Sequence, residues 1–213
     1  PFGGAGILLG GIPGVKRGKV VILGGGVVGF NAAKIASGIG AYTSILDISQ
    51  ERLAYLDDVF GSSVQTLFSN DANIESEIED ADVVIGSVYV HGASAPKLIN
   101  KNHLKIMKRG AVLVDVAIDQ GGCFETSKAT THDKPIYDVD GIVHYCVANM
   151  PGVVPQTSTV ALNNQTLRYG LEIASGISPD KYNDALKLGV NTHDGKLICE
   201  AVANTHNLPF SVI

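Results

Sequence analysis

The chain has no tryptophan, three cysteines in 213 residues, and two methionines, Met107 and Met150, neither of them at its start. Cys123, Cys146 and Cys199 form an odd, widely spaced set without a C-x-x-C. That rules out a disulfide framework and a structural zinc site, and it suits reduced thiols in a reducing compartment. The histidines at 91, 103, 132, 144, 193 and 206 show no metal-ligand spacing, so no metal is expected. No apolar run reaches the roughly 18 residues that a membrane span needs. Sixteen Lys and Arg stand against 21 Asp and Glu, a net charge of -5 with no basic patch, which argues against nucleic acid or an anionic membrane as partner. The opening, residues 1–14, has no basic stretch and is broken by glycines and Pro13, unlike a signal peptide. A cytoplasmic protein is expected. The opening reads as the interior of a protein, and a segment upstream of Pro1 is expected.

What the chain does have is glycine, 25 residues of it, and a hydrophobic content of 45% against 17% charged. That balance describes a globular chain with room for one α/β domain of about 150 residues and a remainder. The glycines matter most where Lys19 to Leu23, aliphatic on both faces like a strand buried between two helical layers, runs into Gly24, Gly26 and Gly29. Helical spacing follows through Ala33, Ile35 and Ala36. Gly24 suits a tight turn, Gly26 a close approach of backbone to a pyrophosphate, and Gly29 close packing of helix on strand. The first-turn amides of that helix would face phosphates with the positive end of its dipole. A G-x-G-x-x-G alone is weak. Here the next strand, Tyr42 to Asp47, ends in a carboxylate 18 positions after Gly29 (47 minus 29), where ribose hydroxyls need an acceptor. A carboxylate there repels a 2′-phosphate, so NAD is preferred to NADP; the competing reading has Asp47 capping the helix that starts near Ser49. Arg52, five residues on, is a cation that could meet a phosphate. No Lys-Ser or Lys-Thr follows the glycines, which excludes a P-loop.

Further strands are expected at Val64–Phe68, Asp82–Val88, Ala111–Val116 and Ile142–Val147, with helices at Asp71–Ala81 and Lys97–Lys108. Residues 124–137 read as polar and irregular. Strands alternating with helices predict a doubly wound parallel sheet, a Rossmann fold, over residues 1–151. From Gly152 the pattern changes to helices without strands, at Thr159–Ala174, Asp180–Leu188 and Gly195–His206, so residues 152–213 are expected to belong to a second, incomplete domain.

Ligands of such sheets lie at the carboxyl ends of the strands, which gathers Gly24–Gly29, Val88–Pro96, Asp115–Gly122 and Val147–Met150 at one crevice. Asp119, followed by Gln120-Gly121-Gly122, stands nearest where a nicotinamide ring would rest; the alternative is that it braces its loop. Asp115, inside a strand, reads as structural. Asn149 can serve a carboxamide or a ribose. Cys123 and Cys146 read as packed thiols and His91 as an exposed loop histidine rather than a general base.

Gly10 to Gly14, Val114 to Glu125 (VDVAIDQGGCFE), Tyr145 to Pro151 (YCVANMP) and Pro155 to Thr159 closely resemble alanine dehydrogenase, and the likeness covers nearly the whole chain. The related NAD-binding component of transhydrogenase matches these stretches less well, and a non-catalytic NAD-binding module is the alternative from another class. The resemblance implies NAD-dependent, reversible oxidative deamination of L-alanine to pyruvate and ammonia in a homo-oligomer, a hexamer. It implies Asp119 as the active-site aspartate, Asp47 as the ribose carboxylate, Arg52 and Ser69 near the adenosine, and Val27 and Val28 at the pyrophosphate. Around the nicotinamide half it implies Val88, Tyr89, Val116, Val147, Asn149 and Met150. Lys128 stands where the family often has arginine, keeping the charge but losing the two-pronged donor. The family's substrate domain, with its arginine, lysine and histidine, precedes the glycine loop and has no counterpart in these residues, so this portion alone is expected to lack turnover.

Overall fold

A computed structural model describes residues 3–88, 90 and 95–212, so the expectations for Tyr89 and His91 lie outside the described residues. Two compact units emerge, one drawn from Pro1–Val90 with Ser94–Asn149 and the other chiefly from Met150–Ile213.

In the first unit, seven strands make one sheet: β1 (Lys19–Leu23), β2 (Tyr42–Asp47), β3 (Gln65–Phe68), β4 (Val83–Gly86), β5 (Val112–Asp115), β6 (Ile136–Val139) and β7 (Ile142–Tyr145). Their order is β3-β2-β1-β4-β5-β7-β6, parallel throughout except for β6 on β7. Helices α1 (Val27–Gly38), α2 (Gln50–Phe60), α3 (Asp71–Ile78) and α4 (Lys101–Leu104) lie in the connections. The chain leaves β1 toward β2 and β3, then returns to the other side of β1 at β4, so the winding direction switches between β1 and β4. An open parallel sheet leaves a crevice at that switch, at its carboxyl edge.

Strand periodicity explains the two cores. Val20 and Ile22 pack with Ala33, Ala36, Ile45 and Leu56, whereas Val21 and Leu23 face Leu46, Ile74, Ile78 and Leu113 on the opposite side. All four β1 residues are at most 2% exposed, so neither face is wetted and no polar alternation is needed. Each such burial stabilises the fold by about 1.5–3 kcal/mol.

Three expectations are corrected. The helix expected over Lys97–Lys108 shrinks to Lys101–Leu104, because Asn100 caps it by accepting from the amides of Asn102 and His103, and Ile99 before it bridges to Phe124 as extended chain. The segment taken as irregular ends in β6, an antiparallel edge strand joined to β7 by Asp140 and Gly141, both at positive φ (55° and 84°). A two-residue Asp-Gly loop is a strong hairpin signal, and it stands in the sequence. In the second unit α5 (Pro155–Ala174), α6 (Asp184–Leu188) and α7 (Glu200–His206) are accompanied by a small hairpin, β8 (Thr192–His193) with β9 (Lys196–Leu197), so that unit is not purely helical. Asp194 and Gly195 make its turn, again at positive φ. No helix among the described residues is long and apolar enough to cross a membrane.

His144 on β7 is fully buried, with Thr126 Oγ1 2.7 Å from its Nε2 and the Ile142 carbonyl 3.0 Å from its Nδ1. Burial holds its pKa below the ordinary 6.5. As pH falls below 6.5, the unfolded chain takes up a proton that the native imidazole resists, so stability declines on acidification. Urea unfolding midpoints at pH 7.5 and 5.5 should show this loss in the wild type, and His144→Gln should show a smaller one.

Candidate functional site

The site begins at the turn from β1 into α1. Gly24 adopts φ +100°, which ordinary side chains avoid, and its amide donates to the Leu46 carbonyl at 2.8 Å. A Cβ at Gly29 would lie 1.9 Å from the Gly24 carbonyl oxygen, so the close contact of helix and strand requires glycine there. A Cβ at Gly26 would meet nothing within 4 Å, which leaves bare backbone facing open space. Gly26 is also the N-cap of α1, with no side-chain cap and no acidic residue in the first turn. The first amides of α1 therefore have no side chain set against them and suit an anion.

Asp47, at the end of β2, carries two roles. Its Oδ2 accepts from the Gly25 amide at 2.7 Å and its Oδ1 from the Ser49 amide at 2.8 Å, while it also lines the cleft. The capping of α2 falls to Ser49, whose side chain accepts from the Arg52 amide. Arg52 itself lies against the glycine loop: its Nε donates to the Gly25 carbonyl, and its guanidinium sits 4.7 Å from the Tyr55 ring centre and 5.8 Å from that of Phe30.

Two adjoining clefts open along this edge. The larger, about 570 Å³, is lined by Gly24, Gly26, Val27, Val28, Asp47, Ser69 and Val88 among the expected residues. The smaller, about 240 Å³, is lined by Val28, Val88, Val116 and Asp119. Val28, Ser87 and Val88 are common to both, so the clefts share a wall at the switch point. Asp119 is exposed on a short 3-10 turn, Ile118–Gln120, just beyond β5.

Other expected residues are not among these linings. Lys128 is exposed, and its amide donates to the Tyr137 hydroxyl at 2.7 Å. Val147 is fully buried beside Thr130, and Asn149 sits at φ 56° with its carbonyl 3.2 Å from His132 Nε2. Met150 opens the second unit. Asp115 has the structural place expected of it: fully buried, it accepts from the Cys123 amide at 2.9 Å and from the Ser127 hydroxyl. Burial, reinforced by Asp115, pushes the Cys123 thiol up to about 11, and burial raises Cys146 too, so neither is poised as a nucleophile.

Several lining residues escaped the sequence reading. Ser87 follows β4 and donates toward the carbonyls of Leu23 (3.0 Å) and Gly24 (2.9 Å), stitching β4 to β1 at the switch point. A small hydroxyl directly after a buried strand is its only signal. Ile48, 75% exposed, and Leu98 join the expected Pro96 in giving the larger cleft apolar walls. Nothing in their spacing separates them from ordinary loop residues.

A parallel sheet with this winding switch, a glycine turn onto a bare helix start and an acid at the tip of β2 define a dinucleotide-binding α/β protein. The chain belongs to the alanine dehydrogenase/PNT family: the family described as "Alanine dehydrogenase/PNT, C-terminal domain" matches residues 1–200. That domain is the NAD-binding domain of the family. The alanine dehydrogenase of Geobacillus stearothermophilus is 54% identical over 214 residues, which covers 99% of this chain and 57% of that protein. A solved L-alanine dehydrogenase superposes with a TM-score of 0.88 at 51% identity, covering 96% of this chain and 57% of the other. The transhydrogenase from Sinorhizobium meliloti, at 24% identity and a TM-score of 0.69 over 88% of this chain and 51% of that one, shares the fold. The chain spans a little over half the length of these relatives.

The two glycines separate packing from access. Gly29→Ala should lower stability by about 3 kcal/mol, because backbone must shift to admit the methyl. Gly26→Ala should change it by less than about 1 kcal/mol. Chemical denaturation of the two variants measures the contrast, and equal losses would contradict it.

Proposed function

We propose that this chain binds NAD along the joined clefts, and that the protein to which it belongs catalyses NAD-dependent, reversible oxidative deamination of L-alanine to pyruvate and ammonia. The observation that carries the reading is that Asp47 and Asp119 stand at the same edge of the sheet, in clefts joined through Val28, Ser87 and Val88. The pyrophosphate would lie over Gly26 and the amides of Val27 and Val28. Asp47 would accept from the adenosine ribose hydroxyls, with Ile48 and Ser69 beside the adenine side and Arg52 bracing the loop beneath. The nicotinamide half would run past Val88 toward Val116 and Asp119.

When bound, the nicotinamide accepts or returns the hydride. The chain's own contribution is orientation: apolar Val28 and Val88 exclude water from the ring's place, and the Asp119 carboxylate holds the reacting amine through imine and carbinolamine. Tyr89, Val147, Asn149 and Met150 are assigned to the nicotinamide half by the family resemblance, and Lys128 to a coenzyme contact where the family often has arginine. On the same ground residues 1–151 form the coenzyme domain, and residues 152–213 belong to the substrate domain of a hexameric enzyme. The 213 residues alone are expected to bind NAD with negligible turnover.

Titrating NADH into the chain should enhance nicotinamide fluorescence saturably, and NADPH should bind more weakly. Asp47→Asn should cost about tenfold in NADH affinity, as befits a lost charge-assisted hydrogen bond of ~1.5 kcal/mol, and narrow the preference over NADPH. No saturable NADH signal would overturn the reading. Asp119→Asn should leave NADH affinity within about twofold, since an amide keeps the shape while losing the charge. In the whole enzyme the same change should abolish alanine oxidation, and retained turnover would favour a non-catalytic module.

A further inference from the structure

The loop beyond β5 is gripped from both sides by opposite charges, and one of them comes from the loop beyond β4. Gly121 and Gly122 both adopt positive φ (85° and 77°), a course that lets successive carbonyls turn to one side. Lys97 Nζ donates to the carbonyls of Gly121, of Gly122 at 2.8 Å and of Phe124 at 3.2 Å. An ammonium has three N–H groups, and here each has a carbonyl to meet. On the other side the buried Asp115 carboxylate accepts from the Cys123 amide, as described above. Two backbone bonds run between the same loops, Ala95 N to Gln120 O at 3.0 Å and Leu98 N to Cys123 O at 2.8 Å.

These bonds join two parts of the site. Pro96 and Leu98 line the larger cleft, and Asp119 and Gln120 line the smaller. A lysine holding only solvent-facing carbonyls would be a local brace. Lys97 instead spans from a residue flanked by cleft wall on both sides to the loop that carries the acid.

We propose that Lys97 is a positioning residue that ties the wall of the coenzyme cleft to the Asp119 loop, so that filling the cleft fixes where Asp119 stands. This rests on the coenzyme reading above. Lys97 touches neither coenzyme nor substrate in this view; it acts through the backbone of residues 121–124.

The test is residue-resolved amide exchange on the 213-residue chain, with and without saturating NADH, for the wild type and Lys97→Met. In the wild type NADH should slow exchange at Gly25, Ala95 and Cys123 alike, by about tenfold or more, as expected when a ligand stabilises one cooperative body. In Lys97→Met the slowing at Gly25 should persist while that at Cys123 falls below about twofold, because the coupling and not the cleft has been lost. Equal slowing at Cys123 in both proteins overturns the proposal, as does a wild type in which NADH slows Gly25 but leaves Cys123 unmoved. Should Lys97→Met fail to fold, Lys97→Gln takes its place in the same comparison: slowing kept at Gly25 and lost at Cys123 supports the tie, and equal slowing at Cys123 overturns it. If NADH neither changes fluorescence nor slows any amide, the coenzyme reading itself has failed.

Discussion

The carboxyl edge of the sheet depends on how closely α1 approaches the end of β1. At Gly29 the helix comes so near the Gly24 carbonyl that a single methyl would sit 1.9 Å from its oxygen, and Ala33 and Ala36 keep the approach small-sided further along. That contact holds the Gly24 carbonyl where Ser87 Oγ reaches it from β4, while Asp47 on β2 draws in the neighbouring Gly25 amide. Four elements are thus locked together by backbone groups of one turn. Interiors of this density do not deform gradually, so the geometry of the turn is either kept whole or lost.

How much of this could be read from the residues depended on how local the cause was. β1, β2 and the glycine turn have causes within a few residues, and these emerge where they were expected. Gly24 makes the tight turn and Gly29 the close helix–strand packing assigned to them, and a Cβ at Gly26 would meet only open space, because each property follows from lacking a Cβ. The failures came where tertiary contacts override local pattern. Lys97 to Ile99 has helical composition, yet Ile99 bridges to Phe124 and Lys97 reaches carbonyls 24 or more residues away, which holds the segment extended. β6 was missed for another reason. Its flanks are polar, and as an edge strand it needs only partial burial, so hydrophobicity understated it while the Asp-Gly turn announced it. Ser87, Ile48 and Leu98 owe their place in the site to sheet order, which no single stretch of sequence contains.

Acidic residues here do structural and site work at once. Asp115 sits at the end of β5 with no exposure, a costly place for a carboxylate unless donors surround it. The Cys123 amide and Ser127 hydroxyl supply them at Oδ2, while Oδ1 is buried with no hydrogen-bond partner among the described residues. Gly122 is required by the same contact: a Cβ there would lie 2.5 Å from Asp115 Oδ2. The QGG sequence that resembles a family signature is, physically, the shape of a loop folded around a buried acid on one side and an ammonium on the other.

The electrostatics of the clefts then follow from what lines them. Among the described lining residues there are two carboxylates, Asp47 and Asp119, and no lysine or arginine. A pyrophosphate placed there would draw its stabilisation from the unopposed amides and dipole of α1, an effect worth about 0.3–1 kcal/mol at an exposed site and up to ~2 when partly buried. A 2′-phosphate beside Asp47 would add negative charge against that modest attraction. On the coenzyme reading proposed above, a 2′-phosphate would be disfavoured by repulsion at one end of the cleft, with no cation among the described lining residues to offset it. The apolar walls, Ile48, Val28, Val88 and Leu98, would supply the binding that such a charge arrangement withholds, because burying the flat faces of rings needs no countercharge.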